Sequence, residues 1–410
     1  MTPQVILIVI VSISVAGYLF DLVLEILNLR AQRPDIPPDI QAFYDKEKYL
    51  KSLEYHRVKT RFGFLSGGFG SLLSIAMLAF GGFGSIDGLL RPHFQNEIWL
   101  SLAFFGVVLV ASDILSLPFQ IYSVFVIEER FGFNKTTPRT FVGDKIKGYI
   151  IGGIVGGALL ALLIALVNKF GPTFWIWFGL IASVMVLLIN MFYTSLILPL
   201  FNKLTILPEG ELKSAIEDFS RKVKFPLDNI FVMDGSKRSS KANAFFSGIG
   251  RKKKIVLYDT LINNHPTDEL VAVLAHEVGH FKKKHIILSF VLSVIQIFFL
   301  LFVLSLMIFN PGLSLALGGT QQAIHLNLIA FAILFSPVSA VTGLLMSLLS
   351  RRNEYEADAY ARETYSGVAL SEALKRLSVD TLSNLYPHPA YVFFYYSHPT
   401  LLQRLQALKG

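Results

Sequence analysis

One short stretch concentrates residues that could do chemistry. Residues 271–281 read Val-Ala-Val-Leu-Ala-His-Glu-Val-Gly-His-Phe. On an α-helix, residues four apart share a face, so His276 and His280 can bind one metal ion through their imidazoles. Glu277, about 100° around the helix, can then act as a base toward water at that metal. This is the spacing of a zinc peptidase, but five-residue matches also arise by chance, so the rest of the chain must decide.

The motif supplies two ligands, whereas zinc in a peptidase takes three from the protein. The chain has no cysteine, which excludes disulfides and thiol catalysis and leaves His, Asp and Glu as candidates. Residues 350–358 read Ser-Arg-Arg-Asn-Glu-Tyr-Glu-Ala-Asp, with Glu354 and Asp358 on one helical face. One of them could bind zinc while the other accepts a hydrogen bond from a ligand imidazole. An ordinary charged helix leaving a membrane explains the same residues equally well.

The remaining basic residues near the motif have simpler explanations. The lysines at 282–284 are predicted to anchor a helix at the membrane interface, because lysine side chains snorkel toward water, rather than to bind a substrate carboxylate. On a continuous helix His285 lies about 140° from His280, which excludes it from the ligand face. The histidines without partner spacing are predicted to be surface or packing residues: His56, His93, His265, His325 and His388.

The composition indicates a membrane protein. Hydrophobic residues make up 53% of the 410 residues and charged residues only 16%, which is wrong for a soluble chain of two or three domains. The net charge of +8 comes from Lys and Arg beside apolar runs rather than from one basic domain. We therefore predict a lipid bilayer as the surroundings and no nucleic-acid partner.

Seven segments are long and apolar enough to cross a bilayer of about 30 Å as helices. The first lacks a positive N-terminal region and a small-x-small cleavage site ahead of Asp21 and Glu25, so it is predicted to be a retained span and not a cleaved signal peptide. The predicted spans cover residues 4–29, 64–90, 98–127, 146–167, 174–201, 286–309 and 324–349.

The loop charges predict the orientation, because Lys and Arg near span ends stay in the cytoplasm. The loops 30–62 and 128–147 are rich in both residues, whereas the alternate loops are nearly free of them. Seven spans with the N-terminus outside place every loop rich in Lys and Arg in the cytoplasm. The same arrangement places the motif and residues 351–410 in the cytoplasm. The C-terminal Gln-Ala-Leu-Lys-Gly has no retrieval signal, which favours a bacterial cytoplasmic membrane over the endoplasmic reticulum.

The predicted fold is an all-α integral membrane protein with a small α+β metalloprotease domain on the cytoplasmic side. The domains are residues 1–203 with spans one to five, 204–285 with the motif, 286–350 with spans six and seven, and 351–410, which complete the zinc site. Within the small domain, 209–224 has the period of an amphipathic helix. Runs at 230–233, 244–247 and 254–258 are β-like, and a glycine pair at 248 and 250 predicts a hairpin between the last two.

Several predicted spans contain polar residues that lipid tolerates poorly. Hydrogen bonds between helices would satisfy them, and this explanation is favoured residue by residue. As a group they are also compatible with a wet interior. They are Asp21, Glu25, Asp113, Asn190, Gln296, His325 and Asn327.

The order of motifs resembles the Ste24 group of M48 zinc metalloproteases over nearly the whole chain. The resemblance is carried by Val-Leu-Ala-His-Glu-Val-Gly-His, a following span, Arg-Arg-Asn-Glu-Tyr-Glu-Ala-Asp, and then Ser-His-Pro-Thr at 397–400 with Arg404. It implies one Zn²⁺ per chain, bound by His276, His280 and Glu354, with Glu277 as the catalytic base.

The same resemblance implies roles for four further residues. Asp358 and Arg404 would lie next to the zinc ligands, Asn243 would lie on the strand that pairs with substrate, and His398 would stabilise the oxyanion of the reaction. It also implies a water-filled chamber within the membrane and peptide substrates of the prenylated CAAX type. A zinc-activated water would cleave the peptide bond with the help of Glu277.

Two alternatives remain open at this point. A protease that removes damaged membrane proteins would use identical chemistry on a different client. A seven-helix transporter or receptor with an inactive metal site belongs to another class, which the intact motif and the acidic residues at 354 and 358 argue against.

Overall fold

The computed structural model describes residues 1–247 and 253–409 of the chain and is mainly helical. Within those residues, six helical stretches are long and apolar enough to cross a membrane. They are Pro3–Arg30, Lys46–Ala79, Glu97–Glu128, Pro138–Leu200, His285–Met307 and Ile324–Asp380.

Among the described residues, strands occur only between residues 204 and 258, and the remaining regular structure is helical. The α-helices of the first half are α1 (Pro3–Arg30), α2 (Lys46–Ala79), α3 (Gly82–Leu90), α4 (Glu97–Tyr122), α5 (Pro138–Phe170), α6 (Phe174–Phe192) and α7 (Glu211–Lys222). Those of the second half are α8 (Asp259–Asn264), α9 (Thr267–Lys282), α10 (His285–Met307), α11 (Pro311–Ala316), α12 (Ile324–Ala361), α13 (Gly367–Asp380), α14 (Pro389–Tyr395) and α15 (Leu401–Leu408). The strands are β1 (Leu204–Ile206), β2 (Leu227–Met233), β3 (Ala244–Ser247) and β4 (Lys253–Tyr258).

The stretch Pro138–Leu200 contains two of the seven predicted spans. A turn of 3₁₀-helix at Gly171–Thr173 separates α5 from α6, and Gly171 has a positive φ of 53°. The two helices then pack against each other. The 19 residues of α6 extend about 28 Å, close to the thickness of a bilayer core. Seven membrane crossings therefore stay a prediction, with α5 and α6 as the pair on which the number depends.

The second predicted span is broken by a glycine turn. Helix α2 already begins at Lys46, in what the sequence predicts to be a loop, and ends at Ala79. Gly81 has a φ of +64° and begins α3, and a Cβ at Gly84 would lie 2.0 Å from the backbone of Gly318. Only glycine fits this close approach between backbones.

The small domain has one four-stranded sheet in the order β1-β2-β4-β3. Strand β2 is parallel to β4, and the outer strands pair antiparallel with them. The predicted β-like runs are therefore strands, and β3 and β4 have the pairing of the predicted hairpin, whose turn at 248–252 lies outside the described residues. The register pairs Ala244 with Leu257 and leaves the other side of β3 at the edge of the sheet.

Helix α9 is the centre of the small domain. It contacts α7, α12 and α13, and its apolar residues are buried in a core with residues of β2, β4 and α7. Gly279 allows the closest contact, because a Cβ there would lie 3.0 Å from the Cα of Ala357 in α12. The sequence thus packs the motif helix directly against the acidic segment of α12.

Most of the polar residues in the predicted spans are hydrogen-bonded to protein. Asp113 accepts from Lys145 at 2.6 Å, and Asn327 donates to the carbonyl of Ile308 at 2.7 Å. His325 contacts Asp87 and Ser101. These contacts agree with the explanation by hydrogen bonds between helices.

Candidate metal centre

Helices α9 and α12 bring three potential metal ligands together. The Nε2 atoms of His276 and His280 lie 3.2 Å apart. Glu354 places Oε1 at 3.2 Å from Nε2 of His280 and Oε2 at 3.5 Å from Nε2 of His276. Among the described residues, this is the one group of three or more His, Asp or Glu side chains found with such convergent atoms.

The geometry of this group fits a zinc ion. Tetrahedral zinc with bonds of about 2.0–2.2 Å places its ligand atoms roughly 3.2–3.6 Å apart, which is the range of the three separations above. Oε2 of Glu354 is buried and has no hydrogen-bond partner among the residues described. A buried carboxylate oxygen without a partner is costly, and a cation between the three side chains would satisfy it.

His276 is held by an aspartate and an arginine. Its Nδ1 lies 2.8 Å from Oδ1 of Asp358, so Nδ1 carries the proton and Nε2 keeps a lone pair for a metal. Arg404 donates to both oxygens of Asp358, at 2.6 and 2.9 Å. Burial alone would lower the pKa of His276, but the contacts with Asp358 and Glu354 outweigh it and raise the pKa above its ordinary value.

His280 is held by a second imidazole, that of His285. The two Nδ1 atoms lie 3.0 Å apart, and Nε2 of His285 lies 3.2 Å from Oε2 of Glu356. A proton on Nε2 of His285 is donated to Glu356, which leaves Nδ1 of His285 as the acceptor for His280. Nε2 of His280 then keeps its lone pair, as in His276.

The position of His285 differs from the sequence prediction. The angle of about 140° between His280 and His285 assumed one continuous helix. The helix instead ends at Lys282, and Lys284 adopts the left-handed conformation with a φ of 61° before α10 begins. This break turns His285 back toward His280. Its ring is a partner of a candidate ligand and is not itself one of the three convergent groups.

Glu277 lies beside the candidate ligands and lines the adjoining cleft. Burial raises the pKa of its carboxyl, and the two imidazoles of His276 and His280 act in the opposite direction. A glutamate with a raised pKa can take a proton from water and give it to a leaving group. The sequence predicts this role for Glu277 from its position on the helix, and the structure places its side chain in the wall of the cleft, so the role stays a prediction.

The cleft next to the candidate ligands has a volume of about 760 Å³. His276, Glu277 and Glu354 lie in its wall together with Asn243 and His398. Asn243 directly precedes the edge strand β3, where an extended peptide could add a strand. His398 is mostly exposed, and its Nε2 lies 3.4 Å from Oε1 of Glu354.

The segment that carries His398 is fixed to α1. The hydroxyl of Tyr391 in α14 donates to Glu25 at 2.9 Å, and that of Tyr395 donates to Asp21. Arg404 follows in α15 and is buried; burial opposes its charge, yet Asp358 raises its pKa so that it stays a cation. The first helix and the last helices of the described chain thus position the residues around the candidate ligands.

The sequence prediction missed two groups of residues in this region. His285 and Glu356 support His280, but no local signal announces the helix break at Lys284, because glycine is the usual residue for that conformation. Tyr55, Lys59 and Lys241 line the cleft from distant parts of the chain, and nothing in their spacing relates them to the motif.

Comparison with protein families assigns both halves of the chain. Residues 25–203 match the model described as "CAAX prenyl protease N-terminal, five membrane helices". Residues 207–410 match the model of peptidase family M48. The family implies a metal, in agreement with the group formed by His276, His280 and Glu354.

Individual relatives match over nearly the full length. The CAAX prenyl protease 1 homolog of Arabidopsis thaliana is 37% identical, and the match covers 98% of this chain and 97% of the relative. CAAX prenyl protease 1 of Saccharomyces cerevisiae is 35% identical, with 91% and 88% covered. These relatives and the homolog in Homo sapiens are eukaryotic, so the prediction of a bacterial membrane finds no support among them.

A solved structure has the same fold. The crystal structure of S. mikatae Ste24p superposes with a TM-score of 0.94 at 33% identity, and the match covers 99% of each chain. The transporter or receptor alternative is therefore set aside. The chain belongs to peptidase family M48, with a CAAX prenyl protease N-terminal region, and is a multi-pass membrane metalloendopeptidase.

Proposed function

We propose that this chain is a zinc endopeptidase that cleaves prenylated CAAX-type peptides at a membrane. His276, His280 and Glu354 hold the zinc, and Glu277 is the catalytic base. One observation carries the proposal: three ligand atoms converge at separations of 3.2–3.5 Å, and the carboxylate of Glu354 has an oxygen without a hydrogen-bond partner among the described residues. This is the donor set of a catalytic zinc site, with two imidazoles and one carboxylate.

A bound zinc would supply a Lewis acid and would lower the pKa of water toward neutrality. The carboxylate of Glu277 takes a proton from the attacking water and gives it to the nitrogen of the leaving amine. His398 lines the cleft and is mostly exposed, and it donates a hydrogen bond to the oxygen of the scissile carbonyl as negative charge develops there. Asp358 and Arg404 keep the His276 ring in its orientation.

The peptide lies extended against the edge strand β3. The order of the sheet leaves one side of β3 free to pair with another strand. Backbone hydrogen bonds then align the peptide independently of its side chains. Asn243 lies where this strand begins, in the wall of the cleft, and would contact the peptide next to the scissile bond.

The substrate class is supported by the names of the relatives, which are CAAX prenyl protease 1 and its homologs. A protease that removes damaged membrane proteins remains the second candidate, since it would need the same catalytic residues. The two functions differ in whether the prenyl group contributes to binding.

The chain crosses the membrane seven times with its catalytic face in the cytoplasm. The basic loops at 30–62 and 128–147 support this orientation, and the turn at Gly171–Thr173 supports counting α5 and α6 separately. The four predicted regions, 1–203, 204–285, 286–350 and 351–410, then alternate between membrane and cytoplasm, with α12 continuous across residue 350. A water-filled chamber between the spans would connect with the cleft.

The test uses purified full-length protein in detergent. Elemental analysis is expected to find one zinc per chain, and a chelator is expected to stop cleavage until zinc is returned. A farnesylated peptide should be cleaved at least ten times more efficiently, by kcat/KM, than the same peptide without the prenyl group. Equal kcat/KM values would favour the quality-control function. Cleavage that persists in metal-free protein would contradict the zinc mechanism itself.

A further inference from the structure

A second cavity of about 650 Å³ lies between α2 and α4, in the part of both helices that is predicted to cross the membrane. Its wall is mainly apolar and includes Phe62, Phe69, Leu73, Met77 and Phe119. Ligand cavities in proteins have volumes of about 300–1,000 Å³ and are lined mostly by apolar groups, with a few polar ones. We call this cavity the α2–α4 groove.

The groove adjoins the catalytic cleft at Lys59, along one face of α2. Tyr55, His56 and Lys59 line the cleft, and Lys59 lines the groove as well. Residues 59, 62, 66, 70, 73 and 77 recur at helical spacing and all line the groove, so a single face of α2 leads from the cleft into it. That face is polar beside the cleft and becomes apolar beyond Lys59. From residue 59 to residue 77 it extends roughly 27 Å.

The groove is open because α2 has glycine at positions 63 and 70 of its wall, where larger side chains would occupy the space. A Cβ added at Gly63 or at Gly70 would meet no atom within 4 Å. Aromatic rings flank this open floor: Phe119 lies 5.2 Å from Phe69 and 6.1 Å from Phe62 between ring centroids. The space is therefore mainly apolar and follows several turns of α2, as a site for a hydrocarbon chain would.

We propose that the α2–α4 groove binds the isoprenoid chain of the substrate while the peptide attached to it occupies the catalytic cleft. The proposal rests on the proposed function, because it assumes a prenylated peptide. The position of Lys59 in the wall of both cavities selects this occupant, since a hydrocarbon covalently joined to a peptide needs an apolar space next to the peptide cleft. A lipid of the bilayer would need the groove but not its connection to the cleft.

The test fills the groove from each side. Gly70→Leu on α2 and Ala111→Leu on α4 both place a larger side chain in the groove. Gly106→Leu is the matched control, because a Cβ at Gly106 also meets open space but the residue does not line the groove. For each variant, kcat/KM is measured for a farnesylated peptide and for the same peptide without the farnesyl group, and zinc content is measured as a check of folding.

The ratio of the two kcat/KM values is expected to fall at least tenfold in Gly70→Leu and in Ala111→Leu, and to keep its wild-type value in Gly106→Leu. A photoreactive farnesyl peptide is expected to label α2 or α4 in the wild-type protein. If the wild-type prefers the farnesylated peptide and neither groove variant changes the ratio, the groove is not the site. Labelling of the groove by photoreactive lipid but not by the peptide would assign it to the bilayer. If the wild-type itself cleaves both peptides equally, the prenyl specificity fails and the groove proposal with it, while the zinc mechanism stands.

Discussion

Helix α12 carries two clusters built from the same three residue types, one near each end. Near its C-terminal end, His276 contacts Asp358, and Arg404 donates to both oxygens of that aspartate. Near its N-terminal end, His325 contacts Asp87 at 2.9 Å, and Arg91 donates to both oxygens of Asp87, at 2.8 and 3.1 Å. We call the second group the distal cluster.

The clusters differ in what the second nitrogen of the histidine faces. In the distal cluster, Nδ1 of His325 contacts the hydroxyl of Ser101 at 3.0 Å, so both ring nitrogens have partners and the ring is fully buried. In the metal centre, Nε2 of His276 faces the Nε2 of His280 and Oε2 of Glu354, which lies 3.5 Å from Nη1 of Arg404 but accepts no hydrogen bond among the described residues. The same His-Asp-Arg arrangement is thus a structural contact where it is complete, and a candidate site where atoms are left to a ligand.

The largest difference between the two clusters should appear when Glu354, a carboxylate with no counterpart in the distal cluster, is removed. Glu354→Ala should lower zinc affinity by about 10³-fold, because structural zinc in zinc-finger peptides is bound with roughly 10–16 kcal/mol shared among four ligands, and losing one of only three protein ligands here removes a comparable share. Elemental analysis and competition with a chelator measure the loss. Glu363→Ala is the matched control, an exposed glutamate in the turn that follows α12. Unchanged zinc in Glu354→Ala would remove this residue from the ligand set.

The distal cluster should respond in stability and not in zinc content. Asp87→Ala removes the buried acceptor of His325 and leaves Arg91 with Glu97 as its remaining carboxylate, so the cost should be at most the roughly 3–5 kcal/mol of a fully broken buried ion pair. Thermal unfolding in detergent should therefore occur at a lower temperature, while the protein that remains folded binds zinc as the wild-type does. A variant with normal thermal stability and less zinc would show that the two clusters are coupled and would contradict the comparison.

Removing His285, the hydrogen-bond partner of His280, should reduce zinc affinity less than removing a zinc ligand does. His285→Ala removes the acceptor for Nδ1 of His280 and should weaken zinc binding about 10–100-fold, the usual effect of losing such a partner. Asp358→Ala, which removes the corresponding partner of His276, should have an effect of similar size. His285→Asn retains a hydrogen-bonding side chain and is expected to recover part of the affinity. Wild-type affinity in His285→Ala would mean that the contact does not hold the ring.

The smallest effect should come from the helix break that positions His285. Lys284 is in the left-handed conformation, which costs a residue with a side chain roughly 1 kcal/mol relative to glycine. Lys284→Gly should therefore stabilise the protein slightly in thermal unfolding and keep its zinc. Lys283→Gly is the control, since Lys283 has a negative φ of −80° and should gain nothing.

The periodicity of the helix explains why so much of the metal centre was predictable. The pairs His276 and His280, and Glu354 and Asp358, each need only a spacing of four, and the hydrophobic pattern identifies the helices that carry them. Such features are local, so they can be read without the fold. That the two pairs meet depends on Gly279 in α9, where the backbone of α12 comes close enough to exclude a side chain.

The features that were missed depend on contacts between distant parts of the chain. The helix break at Lys284 brings His285 toward His280, and the spacing of residues on a continuous helix could not have indicated this change of direction. His325 was predicted to be a surface or packing residue, which agrees with its buried contacts, but its partner Asp87, 238 residues away in the sequence, was not predicted. The α2–α4 groove is formed by two helices whose individual sequences show only that each is apolar and rich in small residues. Sequence periodicity identifies the helices and strands and the residues that share a face of each. Which of these faces contact one another depends on the packing of the folded chain.

The most direct test of the account is to separate metal binding from proton transfer in one variant. Glu277→Gln is nearly the same size and lies beside the ligands without being one of them. Loss of a general base typically slows a reaction about 10²–10⁴-fold. The measurement is the cleavage rate of a farnesylated peptide by a Glu277→Gln preparation of known zinc content. We expect one zinc per chain with cleavage reduced at least a hundredfold. A zinc-loaded variant that cleaves at the wild-type rate would exclude Glu277 as the catalytic base.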